Sequence, residues 1–225
     1  KAGTESDHKV IDSARKDSEI PIKPRKYLAS FMAIFFGILL PIAFISLRDF
    51  FSDTIKSKAD LLNSTNIPIL GLVGHSDNAK SLVVSTSSKS IIAESFRALR
   101  TNIQYLAADK SKKVITVTSS IGGEGKTFTT INLAAIFALS GHKTILIGGD
   151  LRKPKLHEDF KVDTAKGLSS FLINKSELSE VIEKTEVDAL DVIASGPTPP
   201  NPAELLDSPK MKELIEELNK TYDYV

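Results

Sequence analysis

Two regimes of hydrophobic patterning divide this chain. Residues 27–47, YLASFMAIFFGILLPIAFISL, contain no charged position. As a helix they would extend roughly 30 Å, the thickness of a bilayer core, and they read as one membrane span. Residues 48–62 can carry that helix onward, and 67–73 (IPILGLV) read as a short apolar strand before a Ser-rich connector at 78–90. Ile92, Phe96, Leu99, Ile103 and Leu106 recur at helical spacing and predict a helix over 91–107 with one face on a core. Then come a β-branched strand at 114–118, a helix at 127–139, a strand at 144–147, helices at 168–172 and 178–184, and a strand at 189–194. Ser208 as N-cap and Pro209 at the first position open a helix at 209–220, whose apolar face is Met211, Leu214, Ile215 and Leu218. Residues 222–225 begin a further strand. Strands alternating with helices predict an α/β fold with a parallel sheet and helices on both faces, preceded by one transmembrane helix.

Composition narrows the chemistry. A chain of 225 residues with 41% hydrophobic content holds one full domain plus smaller pieces. A net charge of +1 gives no global basic field for nucleic acid. The absence of cysteine excludes disulfides, thiolate zinc sites and cysteine-ligated iron–sulfur clusters. His8, His75, His142 and His157 are scattered and read as structural or surface residues.

Between the strand at 114–118 and the helix at 127–139 lies Gly122-Gly123-Glu124-Gly125-Lys126-Thr127. Strand, glycine-rich loop and helix in that order make a nucleotide phosphate site of the P-loop type: loop amides turn inward around phosphate oxygens at the positive end of the helix. Lys126 would reach the β- and γ-phosphates of ATP and the Thr127 hydroxyl would ligate Mg²⁺. Gly122, Gly123, Glu124, Gly125, Lys126, Thr127 and Phe128 form the predicted nucleotide-binding set. Ser120 replaces the first Gly of the usual pattern, so the motif is a variant.

Orientation follows from the loop, because Lys23, Arg25 and Lys26 before the span balance Arg48, Lys56 and Lys58 after it. ATP is cytosolic, so everything after Leu47 is expected on that side. This divides the chain into an extracytoplasmic juxtamembrane segment (1–26), the transmembrane helix (27–47), a cytoplasmic linker (48–90) and a P-loop domain (91–225). Some twenty-six mostly polar residues ahead of the apolar run fit a cleaved signal peptide poorly. Pro41 is tolerable in a membrane helix. The chain starts without Met, and its last residues start a strand that a P-loop fold would continue to a magnesium-binding Asp. It is therefore expected to be a segment of a longer protein, truncated within the P-loop domain.

In order and spacing, four stretches resemble the bacterial tyrosine kinases of the polysaccharide co-polymerase, or chain-length determinant, type. They are the loop 119–127; Ile145-Leu146-Ile147-Gly148-Gly149-Asp150-Leu151-Arg152-Lys153-Pro154, similar to the family's strand-borne Asp-x-Asp-x-Arg segment; the proline-rich turn 195–206; and Glu94, Arg97 and Arg100, which match a Glu-x-x-Arg-x-x-Arg helix. The likeness runs from about residue 8 to the end. It implies an ATP- and Mg²⁺-dependent protein-tyrosine kinase that autophosphorylates in trans and regulates capsular or exopolysaccharide chain length and export. It places the protein in the inner (plasma) membrane with the kinase domain cytoplasmic, alongside the polysaccharide assembly and export machinery, and without nucleic acid. Lys126 and Asp150 would be catalytic, Thr127 and Asp150 would hold the metal, and Glu94, Arg97 and Arg100 would face the next copy in a homo-oligomeric ring. For those three, a solvated face with a local ion pair is the alternative account.

At Gly148 the chain departs from this pattern, since the first of the two family aspartates is missing. That lowers activity or shifts the base role to Asp150. Tyr222 and Tyr224 start a core strand and are not expected to be phosphorylated. Two other readings stay open. One is a partitioning-type P-loop ATPase, whose Lys-Gly-Gly-x-Gly-Lys signature would need a lysine where Ile121 stands. The other is a chain-length scaffold that binds nucleotide without transferring phosphate.

Overall fold

The computed structural model describes residues 25–51, 54, 55, 57–76, 82–106, 108 and 113–225, in two compact units, Lys1–Ile67 and Pro68–Val225. Apart from Arg25 and Lys26, the expected extracytoplasmic segment lies outside the described residues, as do residues 78–81 of the connector.

In the first unit, α1 (Lys26–Phe50) spans the whole uncharged run and has no buried residue. Apolar side chains point out all round it, a pattern that suits a lipid environment rather than water. The helix is long and apolar enough to cross a membrane. Arg48 sits in its last turn, where a cation complements the carbonyl end. The expected continuation through residue 62 does not form. Helix α1 closes at Phe51, whose amide donates to Leu47 O, and a separate α2 (Lys58–Ser64) begins at Ser57. There Asp60 N donates to Ser57 Oγ (3.3 Å) and Ser57 N to Asp60 Oδ2 (2.9 Å). This reciprocal cap is a helix start, which explains the break.

The second unit contains α3 (Val83–Thr86), α4 (Ile91–Leu106), α5 (Lys126–Leu139), β1 (Thr144–Ile147), α6 (Leu156–Phe160), α7 (Leu168–Leu172) and α8 (Leu178–Val181). There follow β2 (Glu183–Lys184), β3 (Leu190–Ile193), α9 (Pro202–Leu206) and α10 (Pro209–Thr221). Strand β3 lies between β1, to which it is parallel with Thr144 opposite Leu190, and β2, which is antiparallel. On the far side of β1, Tyr224 bridges in parallel to both Thr144 and Lys113. Ile145 N donates to Tyr224 O (2.9 Å), and Ile115 N to Val225 O (2.8 Å). The row order is therefore 113–115, 223–225, β1, β3, β2.

Alternation along the strands sends side chains to two cores. Leu146, Leu190 and Val192 meet α4 and α5 through Phe96, Leu99, Ile131 and Phe137. On the other face, Ile145 and Ile193 meet α7 and α10 through Leu168, Phe171, Leu214 and Leu218. Phe96 is fully buried, and its truncation to Ala would cost about 3–5 kcal/mol. Asn132, also fully buried, ties α3 to α5. Its Oδ1 accepts from Val83 N (2.8 Å) and Val84 N (3.1 Å), two amides at a helix start, and its Nδ2 donates to Phe128 O (2.9 Å).

Three expectations need correction. Of residues 114–118, expected as a strand, Ile115 enters the ladder by donating to Val225 O, and 116–118 carry no ladder bond among the described residues. Residues 67–73 are irregular: Pro68 lacks an amide donor, Leu70 O accepts from Asn102 of α4 (2.6 Å), and a Cβ on Gly71 would lie 3.3 Å from Leu99 Cδ1. The helix expected over 178–184 stops at Val181, because Glu183 and Lys184 pair with Val192 and Asp191, and Lys184 Nζ reaches the Asp191 carboxylate at 3.0 Å.

Candidate nucleotide-binding site

Gly123 and Gly125 adopt φ of +93° and +86°, a region that side-chain-bearing residues rarely enter, and space beside both is open. Gly125 is the N-cap of α5, and its carbonyl accepts the helix's first bond from Thr129 N (2.8 Å). The loop thus lies exposed at a helix N-terminus, with its own amides bracing it. Ser120 N (3.0 Å) and Ile121 N (3.3 Å) donate to Glu124 Oε2, and Ser119 Oγ donates to Ile121 O (2.9 Å).

Lys126, the first residue of α5, holds its ammonium 3.6 Å from Asp150 Oδ2. The side chains are 35% and 42% exposed, so the pair adds little stability and marks position instead. Asp150 stands just beyond β1, and its Oδ1 accepts from Arg152 N (3.2 Å) and Lys153 N (3.0 Å). Burial pushes its pKa up, but the Lys153 and Arg152 amides and the Lys126 ammonium outweigh this and hold the carboxyl below its ordinary value. It is ionised at neutral pH.

Lys126, Thr127 and Asp150 line one cavity together with residues of 114–118 and 145–149. Gly122, Gly123 and Glu124 are exposed beside it. The Phe128 ring packs on Phe96, with centroids 5.9 Å apart, so only its backbone is left to face the loop. The Thr127 hydroxyl and the Asp150 carboxylate are hard oxygen donors that suit Mg²⁺. Mg²⁺ usually keeps several waters and binds through one or two carboxylates plus substrate phosphates, which this pair of donors suits.

The space beside Gly148 is filled. Gly148 N donates to Ile193 O (2.9 Å) and Gly148 O accepts from Ser195 Oγ (2.8 Å). A Cβ on Gly148 would lie 2.7 Å from Ser195 Oγ and 3.0 Å from Ser195 N. Ser195 was named in sequence only as part of a proline-rich turn. Its role carries no local sequence signal because its partner lies 47 positions away, and the same holds for Asn132 and α3.

Glu94, Arg97 and Arg100 lie on α4, and none of them lines the cavity. Arg97 Nη1 pairs with Glu94 Oε2 (2.8 Å) and Arg97 Nη2 donates to Ser88 O (2.6 Å). Arg100 Nε is buried with no partner among the described residues.

A glycine-rich loop opening a helix beside a mainly parallel sheet, with a lysine facing a strand-end aspartate, defines a P-loop nucleotide-binding domain. The family model of the AAA domain matches residues 112–225, half of the chain. Over 146 residues the chain is 43% identical to tyrosine-protein kinase YwqD of Bacillus subtilis (strain 168), covering 65% of this chain and 62% of that protein. It is 32% identical to tyrosine-protein kinase ptk of Acinetobacter johnsonii over 237 residues, all of this chain and 32% of that one. Among solved structures, the kinase domain of Escherichia coli tyrosine kinase ETK superposes with a TM-score of 0.69 at 30% identity, over 74% of this chain and 69% of that one. The chimerical protein CapA2B2 superposes with a TM-score of 0.70 at 39% identity, over 75% and 73%. The chain belongs to the AAA domain family and, within it, to the bacterial tyrosine kinases. It spans 62% of YwqD and about a third of ptk.

Proposed function

We propose that this protein is a membrane-anchored tyrosine kinase that transfers the γ-phosphoryl group of ATP to tyrosine residues, chiefly on neighbouring copies of itself, and so regulates the length and export of capsular or exopolysaccharide chains. The observation that carries this reading is the meeting of Lys126, Thr127 and Asp150 in one cavity beside an open loop, in a chain 43% identical to a tyrosine-protein kinase. Helix α1 would cross the inner membrane, with residues 1–26 outside, a linker at 48–90, and the P-loop domain at 91–225 in the cytosol. Glu94, Arg97 and Arg100 would contact the next copy in a ring, and the assembly would serve the polysaccharide export machinery.

In this reading the amides of 122–128 and the Lys126 ammonium hold the triphosphate and stabilise charge on the transferring group. Bound Mg²⁺, held by Thr127 and Asp150, would offset phosphate charge. The phenol oxygen forms a bond to phosphorus as the bond to the ADP oxygen breaks. A carboxylate held below its ordinary value is a weak base. Asp150 therefore orients the phenol and takes its proton late, when the oxygen has already given up electron density.

Incubating the full membrane protein with ATP and Mg²⁺ and mapping phosphotyrosine by mass spectrometry tests the proposal. Labelled tyrosine in the wild type and none in Lys126→Met is the expected result. The single strand-end carboxylate left by Gly148 favours one rival, a nucleotide-binding scaffold. A preparation that binds ATP yet gains no phosphotyrosine would establish it.

A further inference from the structure

Beyond Asp150 the chain reads Leu151-Arg152-Lys153-Pro154-Lys155-Leu156. Leu151 and Leu156 are buried, Asp150 grips the amides of Arg152 and Lys153, and Pro154 stiffens the middle. Arg152, Lys153 and Lys155 are thereby fixed on an exposed loop at the carboxyl end of β1, and all three line the cavity that Lys126 and Thr127 line. None of the three forms an ion pair among the described residues. Among the described residues Asp150 is the one acidic side chain lining that cavity, and it is engaged with Lys126.

Three unneutralised cations within four residues repel one another, an arrangement that an anionic partner relieves. The nucleotide has its own site at the phosphate loop. The three cations belong to the strand-end loop instead, with Asp150 between them and Lys126 in sequence. In an in-line transfer the acceptor approaches from the side opposite the leaving ADP. We propose that Arg152, Lys153 and Lys155 bind acidic residues flanking the acceptor tyrosine, so that the preferred substrate is a tyrosine set among Glu or Asp. This rests on the kinase reading for the chemistry but not for the binding.

The test uses the full protein and three synthetic peptides in which tyrosine is flanked by glutamate, alanine or lysine. The glutamate peptide should have a KM about five- to tenfold below that of the alanine peptide, the combined effect of a few surface charge pairs. Reversing two cations, Lys153→Glu with Lys155→Glu, should remove that preference, favour the lysine peptide, and leave the KM for ATP within about twofold. Both residues are exposed, so folding should be retained. Equal use of the three peptides would overturn the proposal. So would a raised KM for ATP with unchanged peptide preference, which would assign the cations to the nucleotide. Should no phosphotyrosine form at all, a fluorescent glutamate peptide with phenylalanine for tyrosine still decides the matter: salt-sensitive binding lost in the reversed variant supports the rim, and no binding rejects it.

Discussion

The hydroxyl of Ser195 donates to the carbonyl of Gly148 across 2.8 Å and occupies the space into which a side chain at 148 would grow. Gly148→Asp should therefore strain the domain, costing about 1–3 kcal/mol by overpacking at the end of β1. Adding Ser195→Ala removes the nearer obstruction, so the double variant should melt higher than the sum of the two singles predicts, with a coupling of about 1 kcal/mol. Thermal midpoints of the four proteins check this, and strictly additive shifts would show the contact to be unimportant.

Replacing Lys126 by Met removes an ammonium 3.6 Å from Asp150, at the first residue of α5. A hydrogen bond to a charged group contributes about 1.5–3 kcal/mol, so nucleotide affinity should fall about 10- to 100-fold while the melting temperature hardly moves. Titration with a fluorescent ATP analogue measures the loss.

Glu124 holds the amides of Ser120 and Ile121 through one carboxylate oxygen. Glu124→Ala frees both amides and should raise the KM for ATP several-fold through loss of loop order. Glu124→Gln keeps an acceptor oxygen and should restore most of the wild-type value. If both variants bind ATP more tightly than wild type, the carboxylate is repelling phosphate rather than shaping the loop.

Tyr222 donates to Asp191 Oδ2 (2.7 Å) from a buried position, and burial first, then that bond and the Asp191 charge, push its pKa well above the ordinary tyrosine value. The unfolded chain releases this proton near pH ~10 while the folded one keeps it. Stability from this group is thus complete below that pH and declines above it, by about 1.4 kcal/mol per pH unit, until the folded-state pKa is reached. Melting curves between pH 8 and 12 should show the decline in the wild type and a shallower one in Tyr222→Phe.

Much of this architecture was readable in advance where a short window carries its own period. Strand β1 and helix α7 fall where alternation and spacing put them, and α4, α5 and α10 differ from expectation by a residue at an end. That Lys126, Thr127 and Asp150 come together is likewise legible, because loop order and strand-end position are local patterns. Misreadings arose where a distant partner decides. An apolar stretch such as 67–73 looks like a strand until Asn102 takes its carbonyl, and 183–184 looks helical until Val192 and Asp191 claim it. The short α3, α6 and α9, of four or five residues, carry too few positions for any period to register.

Lys113 and Tyr224 are neighbours across the sheet yet stand 111 positions apart. During synthesis the β1–β3 ladder can zip up once Ile193 is out, while the row between Lys113 and Thr144 waits for Tyr224, 31 positions later, an interval the ribosome crosses in roughly 2–6 s. Through that wait two strand edges stay open to stray pairing with other nascent chains. A chaperone that shields them until Tyr224 emerges, or slow translation that spaces chains apart, should therefore raise the yield of this domain more than any improvement to its helices.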